Sequence, residues 1–320
     1  MKPIQILELF GGIGSPRIAL RNLGIPIKAI DYVEIDQNAV KSYNSIFKND
    51  LDYKKQTVCG WNLKPDILIH GSPCQDFSVA GKQKGADINS ETRSSLMWET
   101  INIIRNMGVW KPKIVIWENV KNVRSKHMKH NHEKYLAEME NMGYTNAYEL
   151  LDARDFGIPQ ARQRYFTVSC LGNKFDFSSM QKKPMNNVWD YLQPDEEVED
   201  KYTIVSPSML RCIDPENYDN APLNKLSIIK KMVFTITTYQ DRCPNAGIIK
   251  RPNGQYRLLT EKECWRLQGY SDADFAAALA ANPGRKGYKN NVLYKQAGNS
   301  IPVPIFEAMF EVLLADIQSA

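Results

Sequence analysis

Cys74 stands in the run Gly71-Ser72-Pro73-Cys74-Gln75, directly after the apolar stretch Asp66-Ile67-Leu68-Ile69-His70. A thiol becomes a strong nucleophile once it loses its proton. A proline-stiffened turn at the end of a strand would present one. In open α/β sheets the chemistry gathers just beyond the carboxyl ends of the strands. A lone cysteine also reads as a small buried hydrophobe, so the catalytic reading needs other groups beside it. Glu118 is one: it follows Lys113-Ile114-Val115-Ile116-Trp117, another buried strand, where a carboxylate requires a salt bridge or a chemical task. Arg162 and Arg164, in Gln160-Ala161-Arg162-Gln163-Arg164, alternate, so an extended backbone points both to one side. They pair with Glu118, clamp a ligand, do both, or are two surface arginines.

A second constellation lies near the N-terminus. The first apolar run leads into Phe10-Gly11-Gly12-Ile13-Gly14, and Glu34 follows twenty positions beyond Gly14. Glycines let a backbone turn tightly against a ligand, and a carboxylate at that spacing accepts hydrogen bonds from ribose hydroxyls. Pro16 and Arg17 stand where a dinucleotide loop would place its last glycine. The loop therefore suits a nucleoside without a pyrophosphate. S-adenosyl-L-methionine fits, with ribose on Glu34, adenosine on Phe10, and Gly12, Ile13 and Gly14 beside the methionine part.

These groups need a parallel sheet to position them. Short apolar runs alternate with longer amphipathic ones over the first 170 or so residues, which is the signature of βαβ units. Strands are expected near Ile4–Leu9, Lys28–Val33, Asp66–His70, Lys113–Trp117, Ala147–Leu151 and Tyr165–Cys170. Helices are expected near Pro16–Leu23, Gln37–Phe47, Arg93–Met107 and His132–Met142, three of them closed by Gly24, Gly108 and Gly143. From about Asn173 to Asn253 seven prolines break the rhythm, and only short strands such as Val233–Tyr239 are expected. Thr260 and Glu263 form a capping box for a helix that Gly269 closes, and a last helix, Ile305–Ile317, is apolar on one face. The fold class is α/β: a doubly wound, mostly parallel sheet with a smaller, irregular, β-rich second domain. The divisions are 1–190 for the first domain with the catalytic and cofactor groups, 191–262 for the second domain, and 263–320 for the return to the first.

Lys and Arg number 41 against 36 Asp and Glu, a net charge of +5 in 320 residues. That excess is compatible with a polyanionic partner without demanding one. The six cysteines form no CxxC pair, which removes zinc-ribbon and thioredoxin-like readings. With no secretory signal or spanning apolar segment, reduced thiols in a cytoplasmic protein are expected, with no membrane association. His127, His130 and His132 lack nearby cysteine or acidic ligands and read as a solvated, basic helix start; no metal is expected.

Taken in order, the motifs resemble those of the cytosine-5 DNA methyltransferases over nearly the whole chain. Phe10–Gly14 resembles the cofactor loop, Gly71-Ser72-Pro73-Cys74-Gln75-Asp76-Phe77-Ser78 the nucleophile motif, and Glu118-Asn119-Val120 the motif of the catalytic glutamate. Gln160, Arg162 and Arg164 match QxRxR. Arg257-Leu258-Leu259-Thr260 with Glu263, Leu267, Gln268 and Gly269 resembles the border of the recognition domain. Gln296-Ala297-Gly298-Asn299-Ser300 matches the C-terminal motif. Two residues depart: Glu8 and Gly11 stand where the family commonly has Asp and Ala. Cys59-Gly60-Trp61-Asn62 also stands where an acidic residue usually meets the adenine, and Trp61 is assigned that contact.

The resemblance implies a reaction. The Cys74 thiolate adds to carbon 6 of a flipped cytosine in duplex DNA, and carbon 5 then accepts the methyl group of S-adenosyl-L-methionine. Glu118 would serve ring nitrogen 3, and Arg164, supported by Arg162, the base's carbonyl. Pro73, Leu96, Asn299 and Ser300 join the cofactor set. Gln75, Ser78, Lys82, Lys84, Arg93, Thr235 and Thr237 are assigned to DNA. Residues 79–95 are expected to form a lid. Arg211, Arg242, Lys250 and Arg251 are candidates for base or phosphate contacts. A monomer is expected, with a restriction endonuclease acting on the same site as a partner. The alternatives are a transfer-RNA cytosine-5 methyltransferase on the same framework, a nicotinamide-cofactor oxidoreductase with an incidental cysteine, and a non-catalytic DNA-binding relative.

Overall fold

β1 (Ile4–Leu9) is buried at every position except Gln5, as the central strand of a sheet covered on both faces must be. The computed structural model describes residues 3–48, 52–59, 64–71, 96–126, 128–213 and 226–319. β2 (Ile27–Val33) and β3 (Ile67–His70) lie parallel to β1 on its two sides, and β4 (Ile114–Val120) runs parallel to β3. β5 (Thr145–Asp152) forms the far edge. After the two-residue β6 (Gln160–Ala161), β7 (Gln163–Cys170) inserts between β4 and β5, antiparallel to both. The order is β2-β1-β3-β4-β7-β5. The chain leaves β1 to one side and returns to β3 on the other, so a crevice opens outside the carboxyl ends of β1 and β3, the usual ligand position in such sheets.

Alternation along the strands divides the core in two. Ile6, Ile67, Ile69, Ile116, Phe166 and Val168 face one layer. It contains Ile18 and Leu20 of α1 (Ser15–Asn22) and the later segments carrying Trp265, Tyr294, Phe306 and Phe310. Leu7, Leu9, Leu68, Val115 and Trp117 face the other, against Met97, Ile101 and Ile104 of α3 (Leu96–Asn106) and Tyr135 and Met139 of α4 (Lys129–Asn141). α2 (Gln37–Ile46) follows β2, with Asp36 accepting from the Asn38 amide at its cap.

Beyond β7 regular structure is sparse among the described residues. α5 (Pro207–Leu210), β8 (Val233–Phe234), β9 (Ile248–Lys250) and β10 (Tyr256–Leu258) are all short. Helices then return: α6 (Glu261–Arg266), α7 (Asp272–Ala281), α8 (Asn291–Asn299) and α9 (Val303–Ser319), the last against α1. The capping box on α6 forms as read, with both Thr260–Glu263 bonds in place. Among the described residues no helix is long and apolar enough to cross a membrane.

Three expectations are corrected. The strand expected over Val233–Tyr239 stops at Phe234, because side chains rather than a neighbouring strand take the backbone groups of Ile236. The strand expected to end at Trp117 continues to Val120, since β7 pairs along its whole length. The histidine cluster is a solvated helix start only in part. His130 is exposed, but His132 is buried. It stacks on Trp117 and hydrogen-bonds Thr167, and burial with the nearby Arg124 charge lowers its pKa to about 4. His127 lies outside the described residues.

Candidate active site

The loop after β1 is moulded by its neighbours. Phe10 has φ 55°, a conformation non-glycine residues adopt rarely. Gly12 also has φ 55°, and a β-carbon added to it would meet no atom of the described residues within 4 Å, so among those residues the loop leaves room for a ligand. Glu34 folds across it. One carboxylate oxygen accepts from the Gly12 amide at 3.0 Å, and the other accepts from the amides of Ile35 and Asp36, both at 2.8 Å. A carboxylate has about four acceptor positions, so Glu34 keeps capacity for ribose hydroxyls. These features fit a nucleoside-bearing methyl donor.

Glu118 lies within β4, opposite Phe166 of β7. Its carboxylate receives Arg164 Nε at 3.1 Å, both side chains being largely covered. Burial raises the Glu118 pKa above the ordinary carboxylate value, while Arg164 and then Arg162 oppose the rise. A side chain built on Gly71 would begin 3.5 Å from Glu118 Oε2. The residue that starts the nucleophile motif thus lies against the acid. Glu118 and Arg164 are brought together; Cys74 itself lies outside the described residues.

Arg162 has a different geometry from the one expected. It is almost wholly buried. Its guanidinium donates to the carbonyls of Ile236 at 2.9 Å, Gly298 at 2.9 Å and Ser300 at 2.7 Å. Gln160, also buried, accepts from the Ile236 amide at 3.0 Å and donates to the Leu267 carbonyl at 2.9 Å. Both polar groups of Ile236 are therefore held by side chains from the β6 region. The β6–β8 pairing and the Thr235 hydroxyl, which donates to the Ala161 carbonyl at 2.7 Å, complete the attachment.

Other expected residues divide. Leu96 starts α3 and is half-buried, and Asn299 at the end of α8 is exposed. Ser300 is buried, and its hydroxyl accepts from Tyr270 and donates to the Gln296 carbonyl. Thr237 lies against Gly298, where a β-carbon would come within 2.4 Å of its carbonyl carbon. Arg251, a candidate for DNA, is instead buried and bonded to Asp195, Thr203 and the Val198 carbonyl. Arg211, Arg242 and Lys250 are exposed. Trp61, Pro73, Gln75, Ser78, Lys82, Lys84, Arg93 and the expected lid over 79–95 lie outside the described residues. No group of metal-binding side chains occurs among the described residues.

Sequence reasoning passed over Ile35, which is 73% exposed immediately after Glu34. An aliphatic side chain left in water beside a ribose-type carboxylate offers an apolar face to a base. Its place directly after the acidic strand end was the available signal.

Comparison with known proteins adds the following. Residues 4–315 match the family described as C-5 cytosine-specific DNA methylase. Type II methyltransferase M2.ScrFI of Lactococcus lactis subsp. cremoris is 32% identical, covering 97% of this chain and 99% of its own. Type II methyltransferase M.HhaI of Haemophilus parahaemolyticus is 29% identical, covering 95% and 92%. Among solved structures, the Dnmt2 methyltransferase of S. pombe superposes with a TM-score of 0.75 at 20% identity, covering 98% of this chain and 99% of that one. The methyltransferase EhMeth of Entamoeba histolytica gives 0.74 at 21%, covering 99% of each. At those identities the structural likeness speaks for the fold.

Proposed function

The chain belongs to the C-5 cytosine-specific DNA methylase family, and we propose that it methylates carbon 5 of a flipped cytosine in duplex DNA, with Cys74 as a transient covalent partner of carbon 6. It is a DNA cytosine-5 methyltransferase of the type II kind, which leaves no place for a nicotinamide-dependent oxidoreductase. S-adenosyl-L-methionine, held by Glu34, Phe10 and the Gly11–Gly14 loop, would supply an electrophilic methyl group on sulfonium sulfur.

One observation carries the reading: a covered Glu118–Arg164 pair lies against Gly71, three residues before Cys74 in the chain. Carbon 5 of cytosine is too electron-poor to take a methyl group unaided. The Cys74 thiolate adds to carbon 6, and the ring becomes an enamine whose electron pair is available at carbon 5. Glu118, whose protonated form burial favours, donates to ring nitrogen 3 as charge develops there. Arg164 keeps that carboxyl oriented and reaches the base's carbonyl. Once carbon 5 carries the methyl group, its proton leaves to water. The sulfur–carbon 6 bond then breaks, restoring the ring double bond and the thiolate, and ring nitrogen 3 returns its proton to Glu118. Arg162 acts as a positioning residue, since its contacts join the recognition segment to the C-terminal return.

Type II relatives support pairing with a restriction endonuclease of the same site, in the cytoplasm where the DNA lies. The test is transfer of tritiated methyl from S-adenosyl-L-methionine to duplex DNA and, separately, to transfer RNA. Label in 5-methylcytosine of the duplex supports the reading. Label only in transfer RNA, or none in either, overturns it.

A further inference from the structure

We infer that Tyr32 is a positioning residue for methyl-donor binding: its hydroxyl holds the Gly12 carbonyl while Glu34 holds the Gly12 amide, so the peptide groups before and after Gly12 are both tethered, and its ring dictates the glycine at position 11. The inference rests on the cofactor reading of the Gly11–Gly14 loop proposed above.

Tyr32 lies on β2 directly opposite Glu8 of β1 and is fully buried. Its hydroxyl donates to the Gly12 carbonyl at 2.5 Å. The Gly12 amide donates to Glu34 Oε2 at 3.0 Å. A glycine at φ 55° with no atom of the described residues near its β-carbon position is otherwise free to rotate about φ and ψ, and two side chains from the end of one strand remove that freedom. A buried hydroxyl beside Glu34 and Glu8 stays protonated throughout the working pH range. It therefore remains a donor.

The ring acts sterically. A β-carbon on Gly11 would lie 2.6 Å from Tyr32 Cδ2 and 2.7 Å from Cε2. Gly11 does not need a positive φ; the ring, with Glu8 Cβ at 3.2 Å as a lesser obstacle, excludes a side chain there. The ring cannot retreat, because it stacks on Tyr43 with centroids 3.7 Å apart. Tyr43 in turn donates to buried Glu8 at 2.5 Å and receives Arg17 at 3.1 Å. The same column limits position 14, where a β-carbon would meet Tyr43 Cε2 at 2.7 Å and Phe47 Cε2 at 2.8 Å. The departure at position 11 noted in the sequence is thus one half of a pair, of which Tyr32 is the other.

Tyr32→Phe keeps the ring and removes the hydroxyl. Wild type and variant are compared by calorimetric titration with S-adenosyl-L-methionine, by steady-state methyl transfer and by thermal melting. Loss of one buried hydrogen bond to the loop should raise the dissociation constant and KM for the methyl donor roughly threefold to tenfold. The melting point without ligand and kcat should stay near wild type. A variant that binds the donor as wild type does, or whose only change is a lower melting point, overturns the positioning role. Wild type that fails to bind the donor overturns the cofactor reading and this inference together. Gly11→Ala tests the steric half. It should weaken donor binding more in the Tyr32 background than in a Tyr32→Ser background, and equal losses in both would remove the coupling.

Discussion

Glu118 is useful because its surroundings resist its ionisation without leaving it alone. Burial pushes its pKa up, while Arg164 at 3.1 Å and the more distant Arg162 limit the rise. The result is a carboxyl group whose protonated form burial favours and whose orientation Arg164 fixes. Glu118→Gln keeps the shape and loses the acid. We expect methyl transfer to slow by about a hundredfold or more, with donor binding unchanged in titration, because the Glu34 loop lies on other strands. A rate near wild type would remove Glu118 from the chemistry. This part of the site was legible in the chain: an apolar run ending in a carboxylate and a pair of alternating arginines gave both partners. The division of labour between the arginines was not legible. Alternation says which side a residue takes, but not that three distant carbonyls wait for Arg162.

At the scale of elements, the segment after β8 shows why local pattern failed. Thr235-Ile236-Thr237-Thr238-Tyr239 has the β-branched composition of a strand, yet it makes no ladder. Gln160 and Arg162, 76 and 74 positions away, hold the amide and carbonyl of Ile236 instead. Contacts of that sequence separation leave no periodicity to read. The same segment lies on the turn that ends α8. A β-carbon on Gly298 would sit 2.4 Å from the Thr238 nitrogen and 2.7 Å from the Thr237 oxygen. Backbone cannot swing aside as a side chain can, so Gly298→Ala must displace either the α8 end or the recognition segment. We expect a lower melting point, by several degrees for about 1–3 kcal/mol of strain. DNA binding in gel-shift titrations should fall further than donor binding. An alanine variant with wild-type melting and DNA affinity would contradict this packing.

For the whole molecule, most of the sheet was readable because its residues obey one rule. Every strand of the first layer was anticipated within a few residues, since alternating or continuous apolar runs are what two covered faces require. The reversed direction of β7 was not anticipated. Nothing in the eight residues of β7 encodes which way the strand enters the sheet. Burial of Glu8 beneath the cofactor loop was equally hidden, and it makes the stability of the fold depend on pH. Burial raises its pKa from 4.5 to about 7, with Tyr43 and then Arg17 opposing. Between those values the folded protein holds a proton that the unfolded chain has released, so the group's contribution to stability falls as pH rises from about 4.5 to about 7. Glu8→Gln, which cannot ionise, should flatten that part of the melting-temperature profile and gain on wild type at the alkaline end. A profile parallel to wild type would show that Glu8 is ionised throughout.

The central claim is that sulfur of Cys74 bonds to carbon 6 of the target base, and the most direct measurement traps that bond. Duplex DNA of mixed sequence carrying 5-fluorocytosine has no proton to release from carbon 5, so the covalent species cannot resolve. Incubated with the protein and S-adenosyl-L-methionine, then separated under denaturing conditions, it should yield a protein–DNA band whose peptide maps to Cys74, and Cys74→Ala should yield none. A protein that methylates ordinary DNA yet forms no such band, or forms it equally well without Cys74, would contradict the account.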